Sequence, residues 1–88
     1  MRELELDPQP SAALDAIWNR NPRLAEQLEV ALDWIESDPV DPRARRRRFS
    51  NGMWVIGIVA AGEDWTLVWD EEESGSPIVR LIVETTSI

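Results

Sequence analysis

The chain has no cysteine, no histidine, no lysine and no tyrosine among its 88 residues. Without cysteine there is no disulfide framework, no thiol nucleophile and no thiolate metal site. Without histidine, the commonest general base and the commonest transition-metal ligand are missing. No apolar run reaches the length of a membrane span, and Met1–Pro10 is acidic with no signal-peptide core. These absences lead us to expect a soluble, cytoplasmic protein with no metal and no cofactor.

What is present fits one small domain over residues 1–88. Apolar residues make up 43% of the chain, which is ordinary for a globular protein. A chain this short buries a modest core, so each large side chain counts. Five of those side chains are tryptophans, against one phenylalanine. Each brings a large buried area and one N–H that needs a partner. The net charge is −8, with 17 acidic residues against nine arginines, so the overall field repels polyanions. Arg43, Arg45, Arg46, Arg47 and Arg48 gather in one stretch, the one patch suited to phosphate.

Along the chain, Arg2–Leu6 alternates, with Glu3 and Glu5 to one side and Leu4 and Leu6 to the other, as in a short half-exposed strand. Asp7-Pro8 and Pro10-Ser11 are both good helix starts, and Ala13, Leu14, Ile17 and Trp18 recur at helical spacing. This predicts a first helix over about 10–20. Asn21-Pro22 then breaks and restarts the pattern. Leu24, Leu28, Ala31, Leu32 and Ile35 form one stripe of a second helix, about 22–37, which ends before Asp38-Pro39. The short connection predicts an antiparallel helical hairpin. Val40–Gly52 holds the arginine run and an Asn51-Gly52 turn signal, and Arg45–Phe49 has the length of a short strand.

The last third carries three apolar runs, Met53–Ala60, Asp64–Trp69 and Pro77–Val83, which read as an antiparallel meander. Trp54, Ile56 and Ile58 share one face of the first run, and Val55, Gly57 and Val59 the other. Trp65, Leu67 and Trp69 oppose Thr66, Val68 and Asp70 in the second. Uninterrupted alternation in the third sets Val79, Leu81 and Val83 against Ile78, Arg80, Ile82 and Glu84. The tryptophan-rich face is the expected seat of the helices. The fold class is therefore α+β: strand, helical hairpin, then meander in two layers.

This order, with LELDPQPSAALDAI and ALDWIESDP followed by GMWVIGIVAAGEDWTLVWDEEES and IVRLIVE, resembles the RelE/ParE family of toxins from type II toxin–antitoxin systems. The resemblance spans almost the whole chain. It implies a small antiparallel sheet with two helices on one face, and a cognate antitoxin that wraps the toxin. Its ribonuclease members carry basic residues on the sheet face opposite the helices, at positions that fall on Val55, Gly57 and Thr66. They add a further basic residue and a tyrosine near the C-terminus, where this chain reads Val83–Ile88 with neither. Arg80 is the one basic residue expected on that face. Cleavage needs a proton acceptor, a proton donor and charge stabilisation; Val55, Gly57 and Thr66 offer no cationic donor, and the chain has no His, Lys, Tyr or Cys to share those roles.

Several stretches have two readings. The Arg43–Arg48 cluster is either a phosphate or acidic-partner site, or a solvated segment balanced by Asp38, Asp41 and Glu71–Glu73. The apolar face of Val55, Val59, Val68, Ile78 and Ile82 is either a partner surface, or is covered by linker 38–50 or by the C-terminus. Trp18, Trp54, Trp65 and Trp69 read as core rather than base-stacking residues. Asp70–Glu73 reads as a hairpin loop rather than a cation site.

The expectation that combines these is a toxin-like protein, neutralised by an antitoxin, that inhibits growth by binding a target, DNA gyrase in the ParE-like branch. The alternatives are a non-toxic relative that serves as an interaction module, and a ribosome-dependent mRNA nuclease using Arg43–Arg48 and Arg80.

Overall fold

A computed structural model of the chain describes residues 4–38, 40–45, 47, 48 and 51–87. In chain order the elements are β1 (Glu5–Leu6), α1 (Pro8–Arg20), α2 (Pro22–Ser37), β2 (Arg47–Arg48), β3 (Trp54–Ala60), β4 (Glu63–Glu71) and β5 (Pro77–Glu84), closed by a 3₁₀ turn at Thr85–Ser87. The fold is α+β. The sheet has five strands in the order β1-β5-β4-β3-β2. β3 pairs antiparallel with β4, and β4 with β5, while β1 joins β5 in parallel, so the sheet is mixed.

Of the two helix starts left open by the sequence, the chain takes Asp7-Pro8. Pro8 fits the first turn because its missing N–H is not needed there. The side chain of Asp7 makes no capping bond. Instead it reaches Arg80, at 3.3 Å. One residue, Asn21, separates α1 from α2, and its Oδ1 accepts the backbone N–H of Leu24 at 3.4 Å as the cap of α2. Leu24, Ala25, Leu28, Ala31, Leu32 and Ile35 bury the stripe read from the sequence. They meet Trp54, Ile56, Ile58, Trp65, Leu67 and Trp69 on one face of the sheet. Leu4 and Leu6 lie on the same side, as their alternation predicted. Trp18 does not join the core and stays 40% exposed.

The third long strand departs from its expected faces. Trp69 pairs with Val79 but Val68 pairs with Leu81, which leaves Arg80 as an extra residue in a β-bulge. Past the bulge every side chain changes sides. Ile82 is therefore a core residue with no exposed surface, and Leu81 and Val83 move to the outer face. Gln9 holds this segment from the first turn of α1. Its Nε2 donates to the carbonyl of Ile82 at 2.8 Å, and its Oε1 accepts the Ile82 N–H at 2.9 Å. An amide side chain thus continues the ladder where β1 ends.

Candidate functional site

The arginine segment packs back onto the chain's own aromatics. Asp38 and Asp41 organise it. Asp38 Oδ1 accepts the Val40 N–H at 3.2 Å, and Asp41 Oδ1 accepts the Arg43 N–H at 2.8 Å, the local bonds that make Asp a turn residue. The turn carries Ala44 into the core, fully buried, where its carbonyl accepts the indole N–H of Trp69 at 2.8 Å. Three guanidinium groups are then laid over rings. Arg43 lies 4.8 Å from the Trp34 centroid, Arg45 4.7 Å from that of Trp54, and Arg48 4.2 Å from that of Trp54. Such contacts favour arginine, whose flat cation stacks at little cost in hydration.

Two of these cations also meet carboxylates. Arg43 pairs with Asp41 at 2.8 Å, and Arg45 pairs with Glu71. The side-chain bond from Arg43, followed by the bond from its backbone N–H, holds Asp41 below the usual carboxylate range. Arg48 donates through Nε to the Gly52 carbonyl at 2.8 Å and has no carboxylate partner among the described residues. Arg47 is placed only by its backbone, opposite Val55 in β2. Arg46 lies outside the described residues, as does Phe49. The reading that the cluster is balanced by Asp41 and Glu71 thus holds for Arg43 and Arg45, with tryptophan faces as the other half of the balance. The signal for that half was in the composition, where five arginines stand near a chain rich in tryptophan.

The outer sheet face holds the positions where the RelE/ParE resemblance implies chemistry. Val55 sits opposite Val68, and Gly57 opposite Thr66. Val55, Val68 and Ile78 are already buried, at 6%, 1% and 6% exposure, so they offer a partner little surface. Val68 is on the central strand and is flanked by Val55 and Leu81. Val59 is 78% exposed, and Ile82 is on the opposite side. The five residues read as one partner face therefore do not form one surface. The 3₁₀ turn adds cover here, as one of the two readings expected. The hydroxyls of Thr66 and Thr85 are 2.9 Å apart, and Thr85 donates to Asp64 Oδ1 at 2.7 Å. The three positions thus present a buried valine, an open glycine and a threonine engaged by its neighbour.

Arg80 projects from the bulge toward Asp7. Glu5 and Glu72 stand nearby. A side-chain hydrogen bond with Glu5, then burial, then repulsion from Glu5 raise the Glu72 carboxyl above its ordinary value. Arg80 is held at an acidic strand edge rather than on an open basic face.

Sequence reading missed one polar cluster. Glu63, in the first position of β4, receives Arg20 through two bonds at 2.8 and 3.0 Å, Asn21 at 2.7 Å and the Trp65 indole at 3.0 Å. These bonds, Arg20 first, depress its carboxyl to about 2. They tie the α1–α2 junction to the β3–β4 hairpin. No local pattern joins residues 20 and 63. Among the described residues no group of three or more acidic side chains could hold a metal ion, and no helix is long and apolar enough to cross a membrane. Comparison with protein-family models, with curated proteins and with solved structures finds no match to this chain.

Proposed function

We propose that the chain is a toxin-like component of a type II toxin–antitoxin system, of RelE/ParE type, which inhibits growth by binding a cellular target and is neutralised by an antitoxin protein. The observation that carries this reading is the order of parts in two layers. One strand, two helices on a single sheet face and three antiparallel strands follow one another, the order that the resemblance of LDWIESDP and GMWVIGI implies. Fold alone does not carry function, so the mechanism is argued from the residues.

Binding is preferred to RNA cleavage for two reasons. Val55, Gly57 and Thr66 bring no cation to the outer face, and Arg43, Arg45 and Arg80 are engaged by Asp41, Glu71 and Asp7. A second reading, a non-toxic relative that acts as an interaction module, draws support from the net charge of −8 and from those same internal pairs. Expression of the chain alone in a bacterial host separates the two. The toxin reading expects growth arrest that a co-expressed partner from the adjacent open reading frame relieves. Normal growth at high soluble expression removes that reading and leaves the interaction module.

A further inference from the structure

Of the three asparagines, Asn51 alone is followed by glycine. The Asn51-Gly52 step lies in the loop between β2 and β3, outside the residues that those strands pair, Arg47 with Val55 and Arg48 with Trp54. Asn51 is exposed. Its Oδ1 accepts the Met53 N–H at 3.1 Å. The ring closed by that bond contains the Gly52 nitrogen, so the side-chain amide is folded back along the Gly52 peptide. Gly52 has a φ of 92°, a conformation that glycine adopts without strain. Its N–H donates to nothing among the described residues. That nitrogen, with no side chain to screen it, is free to close a five-membered ring on the Asn51 Cγ.

The other two asparagines lack this setting. Asn21 precedes Pro22, whose nitrogen carries no hydrogen. Asn19 lies in α1, where the Arg20 N–H belongs to the helix ladder and the Asn19 Nδ2 donates to the Asp15 carbonyl at 3.2 Å. Arg48 adds a further feature at Asn51. Its Nε donates to the Gly52 carbonyl at 2.8 Å, and its Nη2 lies 3.5 Å from where a Cβ on Gly52 would stand. A cation this close favours the deprotonated, nucleophilic form of the Gly52 peptide. The Met53 N–H in turn polarises the side-chain carbonyl that would receive it.

We propose that Asn51 is a site of spontaneous deamidation, and that the carboxylate so formed pairs with Arg48. The Gly52 nitrogen bonds to the Asn51 Cγ, the Cγ–Nδ2 bond breaks, and ammonia leaves with the Gly52 amide proton. Water then adds to one carbonyl of the cyclic imide, breaks its bond to nitrogen and restores the N–H. Opening at the main-chain carbonyl gives isoaspartate, and opening at Cγ gives aspartate. Either product adds a negative charge to a chain already at −8, next to the residue whose carbonyl Arg48 holds. Arg43 and Arg45 already have Asp41 and Glu71, whereas Arg48 has only the Gly52 carbonyl and the Trp54 ring. The reaction thus neutralises the stacked arginine that the folded chain leaves without a carboxylate. The proposal does not depend on the toxin reading.

Two measurements on the full chain test it. In the first, the folded protein is held at mildly alkaline pH, well below its thermal transition, and its peptides are mapped by mass. The peptide holding Asn51 should gain one mass unit, with isoaspartate in excess over aspartate, while Asn19 and Asn21 stay intact. Asn51→Gln should lose the gain, because a six-membered ring closes far more slowly. An intact Asn51, or one converted no faster than Asn19, overturns the site. In the second, the carboxyl introduced by Asn51→Asp is titrated by carbon NMR, alone and together with Arg48→Gln. It should titrate below the ordinary aspartate value of about 3.9, and Arg48→Gln should shift it upward. Equal values in the two proteins overturn the pairing with Arg48.

Discussion

The indole N–H of Trp69 donates to the carbonyl of Ala44 across 2.8 Å, inside the core. This bond fastens the arginine segment to the centre of the sheet. The carbonyl has no water to turn to once the indole is removed. Trp69→Phe should therefore destabilise the chain by about 2 kcal/mol or more, from the orphaned acceptor and the smaller ring together. Urea unfolding of the two proteins measures it.

Arg45 spans two rings, those of Trp54 and Trp69, and also pairs with Glu71. Its role is to seat the segment. Arg45→Ala should lower stability by about 1 kcal/mol, as expected for a partly exposed stack with an ion pair. Titration with single-stranded RNA should show equally weak binding for both proteins. A variant that loses RNA affinity without losing stability would move Arg45 to the binding surface.

Acid should weaken the Glu63 clasp. In the unfolded chain Glu63 takes its proton near 4.5, the ordinary value for a glutamate, whereas the folded chain holds it ionised to about 2. A depressed carboxylate contributes stability that is fully present above 4.5 and is lost as pH falls toward 2. Glu72 has the opposite sign, because its folded value is raised by Glu5. Its contribution is present below the ordinary carboxylate range and is lost as pH rises through the raised value. Glu63→Gln should flatten the acid limb of a plot of melting temperature against pH. Glu72→Gln should raise the melting temperature at neutral pH relative to the parent.

The bulge at Arg80 makes neighbours unequal. Ile82→Ala should cost about 2–5 kcal/mol, and Leu81→Ala distinctly less, because only Ile82 is fully buried among the helices. Unbroken alternation would reverse that order. Denaturant unfolding of the two variants distinguishes the cases.

Much of this layout was legible in the sequence. The stripe from Leu24 to Ile35 has one period and one helix to match it. Trp54, Ile56, Ile58, Trp65, Leu67 and Trp69 alternate without interruption and share the core face. The faces of β5 were not legible, because a bulge is a property of two strands. Arg80 carries no local mark of it, and the Gln9 side chain that braces Ile82 lies far away in sequence. The seating of Arg43, Arg45 and Arg48 on tryptophan rings was hidden for the same reason. Composition supplied both partners, but only the path of residues 40–48 brings them together. The apparent apolar patch failed because burial of Val55 and Val68 depends on their flanking strands.

We propose that the chain acts by binding and not by cutting RNA. Inducing it alone in a bacterial host, and mapping transcript 5′ ends as growth slows, tests this in one culture. A protein that acts by binding should give growth arrest with an unchanged map of ends. Arrest accompanied by new ends within messages, abolished by Arg80→Ala or by alanine at Arg43, Arg45 and Arg48, would contradict it.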